Sequence, residues 1–202
     1  MRKALSIGVV LLAAAGSARA RPVLVAGVGA GVDVEPSRPN PAQGGSYPSA
    51  DLAAFSFEGE ILWSQLGLLA RGVGVDGSID YQSTGFDRFA LTVAGTFRPL
   101  AHRLRPDSYA RVVASRLAVE LGLTYQRILA TYNTADNLGL HLGAHADFPL
   151  GMPQDDHGVF VRLIVQRPII LIDDTISNGI APDPFNAGAP SVQLLGVLAV
   201  AF

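Results

Sequence analysis

Residues 137–147 read NLGLHLGAHAD, and that run decides the fold. Taken two at a time, it places Leu138, Leu140, Leu142, Ala144 and Ala146, with Phe148 following, on one side. Asn137, Gly139, His141, Gly143, His145 and Asp147 fall on the other. Strict period two is the mark of a β-strand with one apolar and one polar face, because successive side chains on a strand point to opposite sides. The length matches the roughly 9–11 residues a tilted strand needs to cross a bilayer. The same alternation recurs on both sides of this segment. Leu117, Val119, Leu121, Leu123 and Tyr125 oppose Ala118, Glu120, Gly122, Thr124 and Gln126, and Phe89, Leu91, Val93, Gly95 and Phe97 oppose Ala90, Thr92, Ala94, Thr96 and Arg98.

Less regular runs complete the set. Leu24, Ala26, Val28, Ala30 and Val32 are expected outside, with Gly27, Gly29, Gly31 and Asp33 inside. Phe55, Phe57, Gly59, Ile61 and Trp63 oppose Ser56, Glu58 and Glu60, and keeping Arg71 inside puts Leu66, Leu68 and Ala70 outside. Val159, Val161, Leu163 and Val165 oppose Arg162 and Gln166. Pro168 is expected to mark the exit from the membrane zone, since proline cannot donate to a central ladder. The last run shows Val192, Leu194, Gly196, Leu198, Val200 and Phe202 on one face. The reading is an all-β, eight-stranded antiparallel up-and-down transmembrane barrel. An even strand number lets the sheet close with both ends on one side, and closure satisfies the backbone polar groups in lipid.

Composition agrees with this reading. The chain of 202 residues is 49% hydrophobic and only 16% charged, with a formal net charge of -2 and no cysteine. It is too apolar for disorder and too neutral to suggest nucleic acid as a partner. Disulfides and thiolate metal sites are excluded. Residues 1–20 combine Arg2 and Lys3, an apolar run from Ala4 to Gly16 and the ending Ala18-Arg19-Ala20, which is the order of a cleavable export signal. The expected division is a signal peptide at 1–20 and one barrel domain at 21–202. No later stretch approaches the roughly 20 apolar residues of a spanning helix, so a helical membrane protein is rejected.

Segments 35–51, 76–87, 127–136 and 172–190 are polar or rich in glycine and proline and read as long loops at one end. The connections at Ser64 and 150–156 read as short turns at the other. One turn departs from the pattern. Pro99 to Ser115 is long and basic, with His102, Arg103, Arg105 and Arg111, and is read as a periplasmic excursion holding a short helix after Asp107. Aromatic residues sort by end: Trp63, Phe97, Phe148 and Phe202 toward the turns, and Phe55, Phe57, Phe89 and Tyr125 toward the loops, as two interfacial girdles would require.

The ending LLGVLAVAF, residues 194–202, alternates and closes on Phe202. It resembles the C-terminal signature of Gram-negative outer-membrane proteins, and residues 21–202 resemble the small eight-stranded barrels of the OmpA transmembrane-domain and OmpX type. The resemblance implies an outer-membrane location, contact with outer-membrane lipids and lipopolysaccharide, and recognition of the terminal strand by the barrel-assembly machinery. It implies no cofactor.

The inward faces collect Asp33, Glu58, Glu60, Glu120 and Asp147 with Arg71, Arg98, Arg162, His141 and His145. An eight-stranded barrel is about filled by its own side chains, and buried charges must pair, so these residues are expected to form a plug. His141, His145 and Asp147 share a face, but strand residues four apart are roughly 13 Å separated, too far for both imidazoles to hold one metal ion. A lipid A deacylase would need an H-x-S pattern, whereas His141 is followed by Leu142 and Gly143. A palmitoyltransferase would need a histidine near Asp173, Asp174 and Ser177. The glycines at 27, 29, 31, 72 and 74 lack the helix and lysine of a phosphate loop. The expected role is structural, adhesive or small-ligand binding, with a lipid-modifying enzyme or a transporter of small or hydrophobic solutes as the alternatives.

Overall fold

The computed structural model describes residues 22–35, 38–39, 46–47, 50–63, 65–79, 84–130, 133–151, 157–177 and 192–202. The export signal expected at 1–20 lies outside the described residues, as does most of the segments 35–51 and 172–190 read as loops. In chain order the elements are β1 (Val23–Glu35), β2 (Arg38–Pro39), β3 (Ser46–Tyr47), β4 (Ala50–Trp63), β5 (Leu66–Ile79), β6 (Thr84–Phe97), α1 (Tyr109–Ser115), β7 (Leu117–Ala130), β8 (Asn133–Pro149), β9 (Gly158–Ser177) and β10 (Val192–Ala201). Among the described residues the short β2 and β3 pair with each other alone. The remaining strands close into a barrel in the order β1-β10-β9-β8-β7-β6-β5-β4, every neighbour antiparallel.

The register fixes the barrel's shape. From Val32 a row of paired residues runs through Leu194, Val165, Ala144, Val119, Phe97 and Leu66 to Trp63 on β4. Val32 itself pairs on its other side with Ala53, so the row returns to β4 ten residues from where a flat ring would close, at 63 rather than 53. With eight strands, that stagger tilts each strand by roughly 40° and gives about 2.5 Å of height per residue. The interior is then narrow enough for side chains to fill.

Alternation in the sequence becomes two different surfaces. Leu121, Leu123, Val119 and Leu117 on β7 are exposed, while Ala118, Glu120 and Thr124 between them are buried. On β10 every second residue, from Gln193 to Ala201, faces inward and is buried. The interior is itself divided. Val25, Phe160, Ile164, Leu195, Val197 and Ala199 of β1, β9 and β10 pack together as an apolar cluster, and the charged side chains come mainly from the other strands. Gly27 and Gly29 on β1 permit this packing. A Cβ on Gly27 would stand 2.6 Å from Cγ1 of Val197, closer than real contacts allow.

Three expectations are corrected. The segments 76–87 and 127–136, read as loops, are largely strand: Asp76 pairs with Asp87, Ser78 with Gly85, and Ile128 with Ala135. Backbone pairing continues there after the apolar alternation has ended, because the ladder needs no apolar face. The segment 172–190, also read as a loop, is strand through its first residues, and Pro168 lies within that strand. β9 runs on to Ser177 and pairs with β8 on both sides of the proline, with a register shift at Leu138/Gly139. The described pairing with β10 stops at Gln166.

The long basic turn holds α1 just after Asp107. Val112 is its buried residue, and Tyr109 Oη donates to the Pro149 carbonyl over 3.2 Å, fastening the helix against the end of β8. Arg98 N donates to the Gln65 carbonyl over 2.9 Å, tying this turn to the β4–β5 turn beside it.

Candidate functional site

The charged residues that alternation points inward converge in the lumen, where two guanidiniums organise them. Arg71 from β5 donates through Nε and Nη2 to Glu58 Oε2 at 3.1 and 3.0 Å, and through Nη1 and Nη2 to the two oxygens of Glu120 at 3.3 Å each. Arg162 from β9 donates through Nε and Nη2 to the two oxygens of Asp147 at 2.7 and 3.1 Å, a bidentate pairing. It also reaches Glu58 Oε1 at 3.0 Å and Glu60 Oε2 at 2.8 Å. Glu58 therefore bridges the two arginines. Arg98 Nη2 completes Asp147 at 3.0 Å, and Thr96 Oγ1 donates to Glu60 at 2.8 Å. The Arg162 guanidinium also lies 5.4 Å from the ring centre of Phe160, its inward neighbour two residues earlier.

Glu120 explains the two lumen histidines. Its Oε2 lies 2.7 Å from His141 Nε2 and its Oε1 lies 2.6 Å from His145 Nδ1, so the carboxylate sits between imidazoles four residues apart on β8. Among the described residues no group of three or more histidine, cysteine, aspartate or glutamate side chains is placed to hold a metal ion. Gly143, between the two histidines, makes room for the arrangement: a Cβ there would be 2.8 Å from Glu120 Oε2 and 2.9 Å from His141 Nε2.

The network continues upward through amides. Arg71 Nη1 donates to Gln166 Oε1, Gln166 Nε2 donates to Gln193 Oε1, and Gln193 Nε2 donates to Asp33 Oδ2 at 2.9 Å. From Arg98 at one end to Asp33 near the other, the connected set draws a side chain from all eight barrel strands or their immediate ends. Arg71, Arg162 and Asp33 have no solvent exposure at all. Glu120 is already engaged by two imidazoles and a guanidinium, and Arg162 by three carboxylates. Such a set can hold the wall together and fill the lumen.

Sequence reasoning did not single out Gln193, Thr96 or Phe160. The first two are uncharged, and inward Phe160 was hidden in a run apolar on both faces. Arg116 is also buried, at the junction of α1 and β7.

On the outer face Phe55, Phe57, Phe89, Phe97, Tyr125 and Phe202 are all exposed, with Trp63 and Phe148 partly so. The stagger gives their heights. Trp63, Phe97, Phe148 and Phe202 lie within roughly 8 Å of one another along the axis, and Phe55, Phe89 and Tyr125 lie roughly 20–26 Å above Trp63. Phe57 sits between the two bands. Tyr125 Oη donates to Asp136 Oδ1 at 2.5 Å, and Arg127 Nε lies 3.8 Å from the same oxygen.

Solved structures share this architecture. Neisserial surface protein A (NspA) aligns with a TM-score of 0.53 at 12% identity, over 90% of this chain and 96% of that one. Ail, the attachment invasion locus protein of Yersinia pestis, solved in complex with the heparin analogue sucrose octasulfate, aligns at 0.51 with 9% identity, over 90% and 99%. The outer membrane protein OprG from Pseudomonas aeruginosa aligns at 0.50 with 15% identity, over 91% and 96%. The chain has the fold of the small eight-stranded outer-membrane barrels. No protein-family profile matches its sequence, and no curated protein matches it either.

Proposed function

We propose that this chain is an integral protein of a bacterial outer membrane, with a plugged lumen and a structural, adhesive or small-ligand role exercised at its loop end. The observation that carries the reading is the inversion of the barrel. Its outer face is predominantly apolar, with Leu121, Leu163, Leu198 and Val28 exposed, while Arg71, Arg162, Glu120 and Asp147 are buried within. A water-soluble barrel would have the opposite arrangement. An apolar band with aromatic residues at two heights suits a bilayer, and an interior saturated with ion pairs suits a barrel that conducts nothing.

In this reading the end bearing Phe202, the β4–β5 turn and α1 faces the periplasm, and the outer wall meets phospholipid and lipopolysaccharide. The terminal strand ending at Phe202 is the segment offered to the barrel-assembly machinery. An adhesive role is supported by the extension of β5–β9 beyond the apolar band. That is where a rigid scaffold commonly carries its function. Ail, which shares the fold, was solved with a sulfated saccharide, and a sulfated or phosphorylated glycan is therefore the first ligand class to try.

The test is expression in a Gram-negative host. The protein should fractionate with the outer membrane and migrate differently on gels before and after boiling. Recovery in the soluble periplasmic fraction would reject the reading. For the role, intact cells displaying the barrel should retain sulfated or phosphorylated glycans better than cells carrying a version with the 178–191 segment replaced by a short glycine-serine linker. Equal retention would reject the adhesive reading.

A further inference from the structure

We propose that the basic turn at 99–115 is a headgroup site for anionic phospholipid in the leaflet at the turn end of the barrel. The inference rests on the outer-membrane reading above and extends it to a specific lipid class. The turn carries Arg103, Arg105 and Arg111, each exposed, along with His102, and its only acidic residue is Asp107. Asp107 is occupied by Arg111, whose Nη1 donates to it at 2.5 Å, so the excess positive charge falls on Arg103 and Arg105.

The position of this charge is what gives it a partner. The turn leaves the wall immediately after exposed Phe97 and re-enters it at exposed Leu117, both on the outer apolar face. It is not a free strap. Arg98 N holds its start to the β4–β5 turn, and Tyr109 and Val112 hold α1 against β8, which keeps the arginines close to the rim. A cationic surface fixed at the edge of an apolar wall meets lipid headgroups before any other polyanion. An anionic phospholipid such as phosphatidylglycerol places its phosphate at that depth without a compensating cation.

Trp63 is the only tryptophan in the chain, and its turn is the one bonded to Arg98. Its fluorescence therefore reports the lipids at this rim. The refolded full barrel is placed in bilayers of mixed phosphatidylcholine and phosphatidylglycerol, with one or the other brominated so that it quenches tryptophan on contact. The expected result is roughly three- to tenfold preferential association of phosphatidylglycerol at low salt, falling as the ionic strength rises. It should drop to about even in R103Q/R105Q/R111Q and stay at the native value in R127Q, which removes an exposed arginine from the opposite end.

Equal quenching by both lipids in the native protein overturns the proposal, as does a preference that survives the triple substitution. Insertion is checked separately, by the shift in gel mobility on boiling. A protein that fails to insert overturns the membrane reading itself, and one that inserts without preference overturns only the lipid site.

Discussion

At the scale of single residues, the lumen owes its stability to satisfaction rather than to charge. Removing two charges from water costs several kcal/mol per ion, and pairing inside a narrow barrel repays this only if the hydrogen bonds are complete. Arg162→Met would leave Asp147, Glu58 and Glu60 each short of a partner. It should cost about 3–5 kcal/mol in urea unfolding of the bilayer-inserted protein. A cost below about 1 kcal/mol would show that the remaining groups rearrange freely and that the plug is loose. Gly143→Ala tests the same network sterically. Its methyl would press on Glu120 and His141 together, and a loss of about 1–3 kcal/mol is expected in the same measurement, since overpacking in closed interiors costs that much. The charged residues were legible from the sequence because alternation placed them. Gln166 was placed inward too, but its link through Gln193 to Asp33 was not legible, because an uncharged inward residue has no obligation to be part of anything.

At the scale of elements, period two was legible only where one face must be apolar. The eight strands were found there, with Leu66, Leu68 and Ala70 assigned outward on β5 because Arg71 had to be inside. Beyond the apolar band the pattern fades while the ladder goes on, which is why Asp76↔Asp87 and Ile128↔Ala135 were read as loop. The apolar inner wall was hidden for the opposite reason. β10 is apolar on both faces, so the alternation that put Leu194 and Leu198 outward and Leu195 and Val197 inward could not show that the inward ones join an apolar wall. Gly27→Val examines that wall. The added side chain would force β1 from Val197, and a lower fraction of heat-modifiable, folded protein is expected after refolding, with unfolding shifted to lower urea. Tyr109→Phe should act only locally. Loss of its bond to the Pro149 carbonyl should cost about 0.5–1.5 kcal/mol and raise hydrogen exchange in α1 while leaving β8 protected.

At the scale of the whole molecule, strand number and stagger together set the bore, and neither is a property of one residue. The strand count could be read along the chain. The ten-residue stagger could not, because it depends on how far each hairpin slides past the next. With this bore filled from wall to wall, purified protein in planar bilayers should show no stepwise conductance. Reproducible steps above those of the empty bilayer would overturn the plugged-lumen reading. The same closure also has a history in time. β1 finds its second partner only in β10, with Leu24 and Phe202 exchanging backbone hydrogen bonds of 3.3 and 2.8 Å. The first strand to be made must therefore wait, with one edge bare, until the last has arrived. Every earlier intermediate is an open sheet with an apolar face, prone to pair with other chains. A barrel joined this way cannot be finished piecemeal. Its synthesis imposes an interval during which something other than its own structure must keep it from aggregating.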